Sequence, residues 1–561
     1  MRGLLVRFVV AAASAALFHG ALGVAARSTP PPRATTTALT AVNWAVDVAE
    51  VRTAVTLEVD IEPAMFQDPV VAQRLWAALE ELGADLARFS PWGVYPRVGT
   101  AELAPPDRIQ NRTFWNFTVL DAAVARFARA TAGHEASWLW STIPHWMFKD
   151  GAEQRISPDT WRPQFSYTNC PESGSELHDP TCTEVADYLG RLYSWYALGG
   201  FVDELGVTHH SGHHYNLTYM AVLNEPNNEH CWGGKNSSRY FTCYAAISSK
   251  LKALNPAIQL AAPEMGAIET FFDEFLEFAK RKNQPPDTLT IHPMWETSCG
   301  YWNQSSYDDI LQGLDINVNQ CRDIATKARA MFPGQKLAAA ESGVILAEQP
   351  CGGWTNQSSA CSVFGTCPPH PSPLWLGSPI PPPFWNAAAS AAVQLWGRLA
   401  ELDFEFVTID QFFGGEYPNN FPSVTMMDPE GIPNAKYWAL HMLIHNASGT
   451  RAVKTLHQAA YDGSVLYVLP LTTPDGQRLV VASRLPTAQN VDVCTAFPMG
   501  AVGVTIDAQR GSSAKPLAVV IECERDSAAA WSLGPWGVAV FWPTPDRGSD
   551  ARSPPTVINN E

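Results

Sequence analysis

Eight times between residues 50 and 447, a short apolar run is followed by a segment whose apolar residues recur every three or four positions. The runs are 54–61, 85–90, 137–143, 219–223, 259–262, 288–292, 336–340 and 404–409. The segments that follow are 71–82, 119–131, 184–198, 239–254, 268–282, 318–332, 384–402 and 435–445. A run of four to eight apolar residues suits a strand buried on both faces, and the longer period suits an amphipathic helix. In the first helix Val71, Leu75, Leu79 and Leu82 share one face, and Gly83 supplies a stop.

Strand and helix in strict alternation predict a parallel α/β fold. Eight units over about 400 residues predict a (β/α)8 TIM barrel with long loops. A doubly wound open sheet is the other parallel arrangement, but no Gly-x-Gly-x-x-Gly follows the first run. After residue 447 the texture changes to short β-rich runs separated by turn residues such as Pro474-Asp475-Gly476. These runs, from Val465 to Trp542, predict an all-β sandwich. The expected organisation is therefore a barrel over 51–447, a sandwich over 448–545 and a disordered tail over 546–561. The segment 27–50 offers the sandwich one further strand, and 345–383, rich in Pro, Ser and Cys, is expected to be a long stapled loop.

The first 26 residues have the pattern of a signal peptide. Arg2 and Arg7 precede an apolar stretch from Phe8 to Phe18, and small residues follow near Ala26. The stretch is short for a membrane span. Seven Asn-x-Ser/Thr sequons, at Asn111, Asn116, Asn216, Asn236, Asn303, Asn356 and Asn446, fit a secretory route. So do the 11 cysteines, several of them in near pairs: Cys170/Cys182, Cys231/Cys243, Cys299/Cys321 and Cys494/Cys523. Spacing does not fix their connectivity, and the odd count leaves at least one without a partner in the chain. The expected location is extracellular, a cell surface or a lysosome-like compartment. A net charge of −17 with no basic run argues against nucleic-acid or anionic-lipid partners.

In a barrel of this kind the chemistry lies where the strands end at the C-terminal face. The polar residues at those positions are Arg88, His145 and Trp146, Asn224-Glu225, His292 to Trp295, Glu341, and Asp410-Gln411. Glu225 interrupts an apolar run within Asn-Glu-Pro, and Glu341 follows Leu337-Ala338-Ala339-Ala340. A carboxylate placed there is costly unless it is paired or used. Two carboxylates from the fourth and seventh strands would face each other across the mouth. Glycoside hydrolysis needs such a pair, one to protonate the leaving oxygen and one to attack or to activate water.

Asn224-Glu225-Pro226 with Glu341 resembles glycoside hydrolase clan A, over residues 50–447. Together with Ser141–Trp146 and a β-rich C-terminal unit, the pattern is most like glycoside hydrolase family 39, the β-xylosidases and α-L-iduronidases; families 79 and 30 share the clan pattern. The resemblance implies a retaining enzyme that acts on an oligosaccharide, polysaccharide or glycoconjugate. It implies Glu225 as general acid/base, Glu341 as nucleophile, Asn224 as partner of the sugar 2-hydroxyl and Arg88 as the cation that supports the nucleophile. His145, Trp146, His292, Trp295 and Gln411 are the further substrate-binding candidates, with Trp146 and Trp295 as stacking platforms. Where clan members often carry a tyrosine after the sixth strand, this chain has Met294. Either Tyr301 or His292 takes that role, or the site is altered.

No cofactor or metal is expected. His209, His210, His213 and His214 invite a metal-dependent hydrolase as a competing reading, but no acidic or cysteine ligand completes the set in sequence. A barrel retained only for binding carbohydrate is the other.

Overall fold

The computed structural model describes residues 38–61, 64–91, 100–149, 176–227, 237–266, 270–297, 304–346, 380–413, 424–448, 453–523 and 531–544. The proposed signal peptide, the tail from 546, Tyr301 and all but the ends of the 345–383 loop lie outside them.

The strands in chain order are β1 (Leu39–Val51), β2 (Ala54–Asp60), β3 (Leu86–Ser90), β4 (Glu135–Leu139), β5 (Gly200–Val202), β6 (Thr208–His210), β7 (Tyr219–Ala221), β8 (Gln259–Met265), β9 (Thr288–Ile291), β10 (Met294–Glu296) and β11 (Lys336–Ile345). They continue with β12 (Phe406–Ile409), β13 (Lys454–Tyr461), β14 (Leu466–Thr473), β15 (Gly476–Ser483), β16 (Gln489–Val491), β17 (Ala501–Ile506), β18 (Leu517–Ile521), β19 (Trp531–Leu533) and β20 (Val538–Pro543).

Eight of these strands are parallel neighbours in the order β2-β3-β4-β7-β8-β9-β11-β12, and β12 pairs back onto β2 to close a barrel. The short β10 adds to the upper end of β11. Every residue of β2, β3 and β9 is buried, as parallel strands covered by helices require. The first helix, Pro69–Leu82, shows how local chemistry sets the ends: Asp68 accepts the N–H groups of Val70 and Val71, Pro69 takes the first helical position, and Gly83 closes the helix at φ 57°.

Three elements run further than the periodicity predicts. β8 continues through Pro263 to Met265, and β11 continues through Glu341 to Ile345, so Glu341 lies inside a strand rather than after it. The helix expected from Val318 begins at Gln304, because Tyr307, Ile310, Leu311 and Leu314 extend its apolar face.

The C-terminal unit is an antiparallel seven-stranded sheet ordered β1-β13-β14-β15-β20-β17-β18, with a two-stranded ribbon of β16 and β19. Its outer face packs Leu466, Val468, Leu479 and Phe541 against Val491 and Leu533 of the ribbon. Its inner face, with Leu469, Val480, Val538 and Val540, joins the barrel core. There the helix Pro382–Ala400 crosses the sheet: Ser390 donates to the carbonyl of Ser483 at 2.6 Å, and Gly397 makes room for the ring of Tyr467. A Cβ at Gly397 would fall 2.3 Å from that phenol oxygen. Cys494 and Cys523 are bonded, and so are Cys182 and Cys243, which join two adjacent barrel helices. The second bond crosses two of the near pairs seen in sequence, and Cys321 is a buried free thiol. Among the described residues no helix is long and apolar enough to cross a membrane.

Candidate active site

The register between neighbouring strands sets Glu58 of β2 beside Arg88 of β3. Both side chains are buried, and each terminal nitrogen of the guanidinium has two acceptors, while Nε has none among the described residues. Arg88 Nη1 donates to Glu58 and, at 2.6 Å, to Glu341 Oε1; Nη2 donates to Glu264 Oε2 at 2.9 Å and to Asn224 Oδ1 at 3.1 Å. Burial acts to lower the pKa of Arg88, but the three carboxylates outweigh it and leave the group more basic than usual. Because a guanidinium only donates, Asn224 must turn its oxygen to Arg88, which leaves the amide NH2 as its other face.

Glu225 is held from both sides. The N–H of Asn224 donates to Ser141 Oγ at 2.9 Å, and the N–H of Glu225 donates to the carbonyl of Glu264 at 2.8 Å. Leu223, Glu225 and Glu264 all adopt positive φ, at 64°, 40° and 53°. That region is unfavourable for residues with a Cβ, and such strain gathers at functional sites. The chain bends at Leu223-Asn224 and brings the Glu225 carboxylate to His292.

His292, directly after β9, lies between the acidic groups. Its Nδ1 is 2.9 Å from Glu225 Oε1 and 3.3 Å from Glu341 Oε2, while Nε2 is 3.1 Å from Glu264 Oε2. Burial disfavours its charge, yet Glu341, Glu225 and Glu264 prevail and hold the imidazole up to about 10. The imidazole thus contacts both carboxylates, while Tyr301, the other candidate for the role of the absent tyrosine, lies outside the described residues. One oxygen each of Glu225 and Glu341 and a His292 nitrogen lie within 4.8 Å of one another. Within that grouping His292 Nδ1 contacts both carboxylates, so the three side chains form one hydrogen-bonded charge network.

The surroundings shift the carboxylates in different directions. Burial pushes Glu341 up to about 7, opposed by His292 and Arg88 and helped by Glu225 and Asp410. Burial raises Glu58 well above the usual range against Arg88. Burial also raises Asp410, which Lys436 opposes and to which Glu58 hydrogen-bonds. Glu264 goes the other way: burial is overcome by Arg88 and His292, and it is held below the usual value. The buried Lys436, pushed down to about 8, donates to the carbonyls of Asp410 (2.5 Å) and Val424 and pins the loop after β12.

Of the sequence candidates, Arg88, Asn224, Glu225, His292 and Glu341 thus meet at one point. Gln411 is half-buried beside Asp410, its backbone paired with Val424 and Met426. Trp146 is half-buried and donates its indole N–H to the carbonyl of Glu102 at 3.3 Å; the side chain of His145 lies outside the described residues. Trp295 corrects the expectation of a stacking platform. It is buried, its indole N–H donates to the carbonyl of Ile310 at 3.1 Å, and its ring fills the space left by Gly313. Phe412 and Phe413 are likewise buried in the core. In the histidine-rich stretch, His209 Nε2 lies 2.8 Å from Asp203 Oδ2, whereas His213 stacks on Tyr196 and Tyr215. These rings serve separate partners, and among the described residues they form no cluster of metal-ligating atoms.

Glu58 and Glu264 were not singled out in sequence. Glu58 interrupts the apolar run 54–61 with a charge, a signal that could have found it. Glu264 lies beyond the apolar run 259–262, in the part of β8 that continues past Pro263.

Residues 201–333 match the family model of glycosyl hydrolases family 39. This stretch contains Asn224, Glu225, Glu264 and His292. No curated protein matches the chain. Among solved structures, a family 51 α-L-arabinofuranosidase from Bifidobacterium longum, AbfB, superposes with a TM-score of 0.56 at 12% identity, over 90% of this chain and 97% of that one. A monomeric β-xylosidase from Caulobacter crescentus CB15 gives 0.51 at 12%, over 89% and 98%. The GH39 enzyme from Xanthomonas axonopodis pv. citri gives 0.51 at 14%, over 91% and 99%. At these identities the superpositions show the shared barrel fold; the family match supports glycosidase function.

Proposed function

We propose that the chain is a secreted glycoside hydrolase that cleaves O-glycosidic bonds with retention. The observation that carries this reading is the pair Glu225 and Glu341, with an oxygen of each within 4.8 Å around His292. Retaining enzymes hold their carboxyl groups about 5–5.5 Å apart, whereas inverting ones leave about 6.5–9.5 Å for a water.

In the first step Glu341 attacks the anomeric carbon, and the bond to the leaving oxygen breaks as Glu225 gives that oxygen its proton. In the second, Glu225 takes a proton from water, whose oxygen displaces Glu341 from the sugar. Arg88 and His292 favour the ionised form of Glu341 needed for attack. Asn224 offers its NH2 to the 2-hydroxyl.

Secretion is supported by the disulfides Cys182–Cys243 and Cys494–Cys523 and by the exposure of the sequon residues Asn111, Asn116 and Asn216. Material from a secretory host should shrink on deglycosylation. The activity is tested with a panel of aryl xylosides, glucosides, arabinofuranosides, glucuronides and iduronides, using wild type and Glu341→Ala. Hydrolysis of at least one by the wild type alone is expected; hydrolysis of none, or equal turnover by both proteins, would defeat the reading.

A further inference from the structure

Glu264 touches neither a solvent-facing surface nor either carboxylate assigned to the chemistry, yet its side chain binds both cations beside them, Arg88 and His292. Its side chain is 1% exposed and accepts from Arg88 Nη2 at 2.9 Å and from His292 Nε2 at 3.1 Å. Its carbonyl holds the N–H of Glu225 at 2.8 Å, and its own N–H donates to Thr290 Oγ1 at 3.1 Å. We propose that Glu264 is a positioning residue: by accepting the Nε2–H of His292 it fixes that ring as an imidazolium whose Nδ1–H is shared between Glu225 and Glu341. This rests on the glycosidase reading above and adds the means by which one fixed cation serves both steps.

The partners of His292 are complementary in hydrogen bonding to an imidazolium. Three carboxylates face the two nitrogens of His292: Glu264 from β8, Glu225 from the loop after β7 and Glu341 from β11. Arg88 on β3, Asp410 after β12 and Glu58 on β2 complete the charged surroundings. Even with Glu225 protonated, a neutral ring would turn a lone pair toward the ionised oxygen of Glu341 or of Glu264; only the doubly protonated ring donates to both. Among the described residues Glu264 is the one carboxylate at hydrogen-bond distance from Nε2, so it decides whether the second proton stays.

The consequence follows from the movement of charge. Before glycosylation the negative charge lies on Glu341 and the proton on Glu225. After it, Glu341 is a neutral ester and Glu225 is the anion. The second step reverses this. His292 Nδ1, 3.3 Å from one carboxylate and 2.9 Å from the other, stabilises each anion in turn without moving. A cation fixed in advance where charge develops is the most effective electrostatic arrangement.

The test uses the full chain labelled with 15N-histidine, with His292 assigned by loss of its signals in His292→Asn. In wild type both ring nitrogens of His292 should be protonated at neutral pH, and titration should begin only well above the ordinary histidine range. In Glu264→Gln, which keeps an acceptor but loses the charge, titration should fall by at least about one pH unit. The kcat of this variant should fall roughly 10²-fold with KM little changed, and Glu264→Asp should recover part of it. A neutral His292 in the wild type would overturn the proposal even if no variant folds, and so would an unchanged titration in Glu264→Gln. An active enzyme with a neutral His292 removes this proposal alone. A doubly protonated His292 in a chain that hydrolyses no glycoside removes the glycosidase reading instead.

Discussion

Arg88 and Glu341, from β3 and β11 of the closed barrel, meet at 2.6 Å with the guanidinium fully buried. The contact couples stability to chemistry, because the same guanidinium also holds Glu58 and Glu264. Arg88→Met should therefore abolish activity and destabilise the fold by about 3–5 kcal/mol, since it leaves buried carboxylates without a partner. Chemical denaturation of the variant measures this; a loss under about 1 kcal/mol would mean that the carboxylates relax to solvent or protonate freely.

Glu225 and Glu341 should separate by leaving group. Glu341→Ala removes the nucleophile and should lose turnover on every substrate. Glu225→Ala should lose natural glycosides but keep attack on dinitrophenyl glycosides, whose leaving group needs no proton. Equal loss on both substrate kinds in Glu225→Ala would remove its role as the acid.

His292 should set the acidic limb of the pH profile. Its positive charge opposes the upward push of burial on Glu341. In His292→Asn that opposition is gone, so Glu341 protonates at higher pH and the acidic limb of kcat/KM should move up. A limb that stays in place would show that Arg88 alone governs the nucleophile.

The disulfide Cys182–Cys243 closes a separation of 61 residues between two buried positions of the barrel wall. Its removal in the Cys182→Ala/Cys243→Ala double variant should cost about 2–4 kcal/mol and lower Tm without changing KM. An unchanged Tm would mean that packing of the helices Thr183–Ala197 and Ser237–Leu254 suffices.

Much of this architecture is written in periodicity. Continuous burial on both faces of the barrel strands requires apolar runs, and those runs are visible because solvent never dilutes them. Glu225 and Glu341 are legible for the same reason: a carboxylate stands out against apolar neighbours. β13 is not, because Thr455, His457 and Gln458 leave it no clean alternation; its partners β1 and β14 define it. Trp295 misled because strand-end position does not say which way a ring turns, and the space beside Gly313 decides that. The role of Glu264 depends on cross-strand geometry between β8, β3 and β9, which no local pattern encodes.

The central claim is a covalent glycosyl intermediate on Glu341 with Glu225 as its acid/base partner. Proton NMR of the anomeric region during the first minutes of hydrolysis of a reactive aryl glycoside, before mutarotation, tests it most directly. The account predicts that the first product appears with the anomeric configuration of the substrate. A first product of inverted configuration would contradict it, because Glu341 would then act as a base on water and not as a nucleophile.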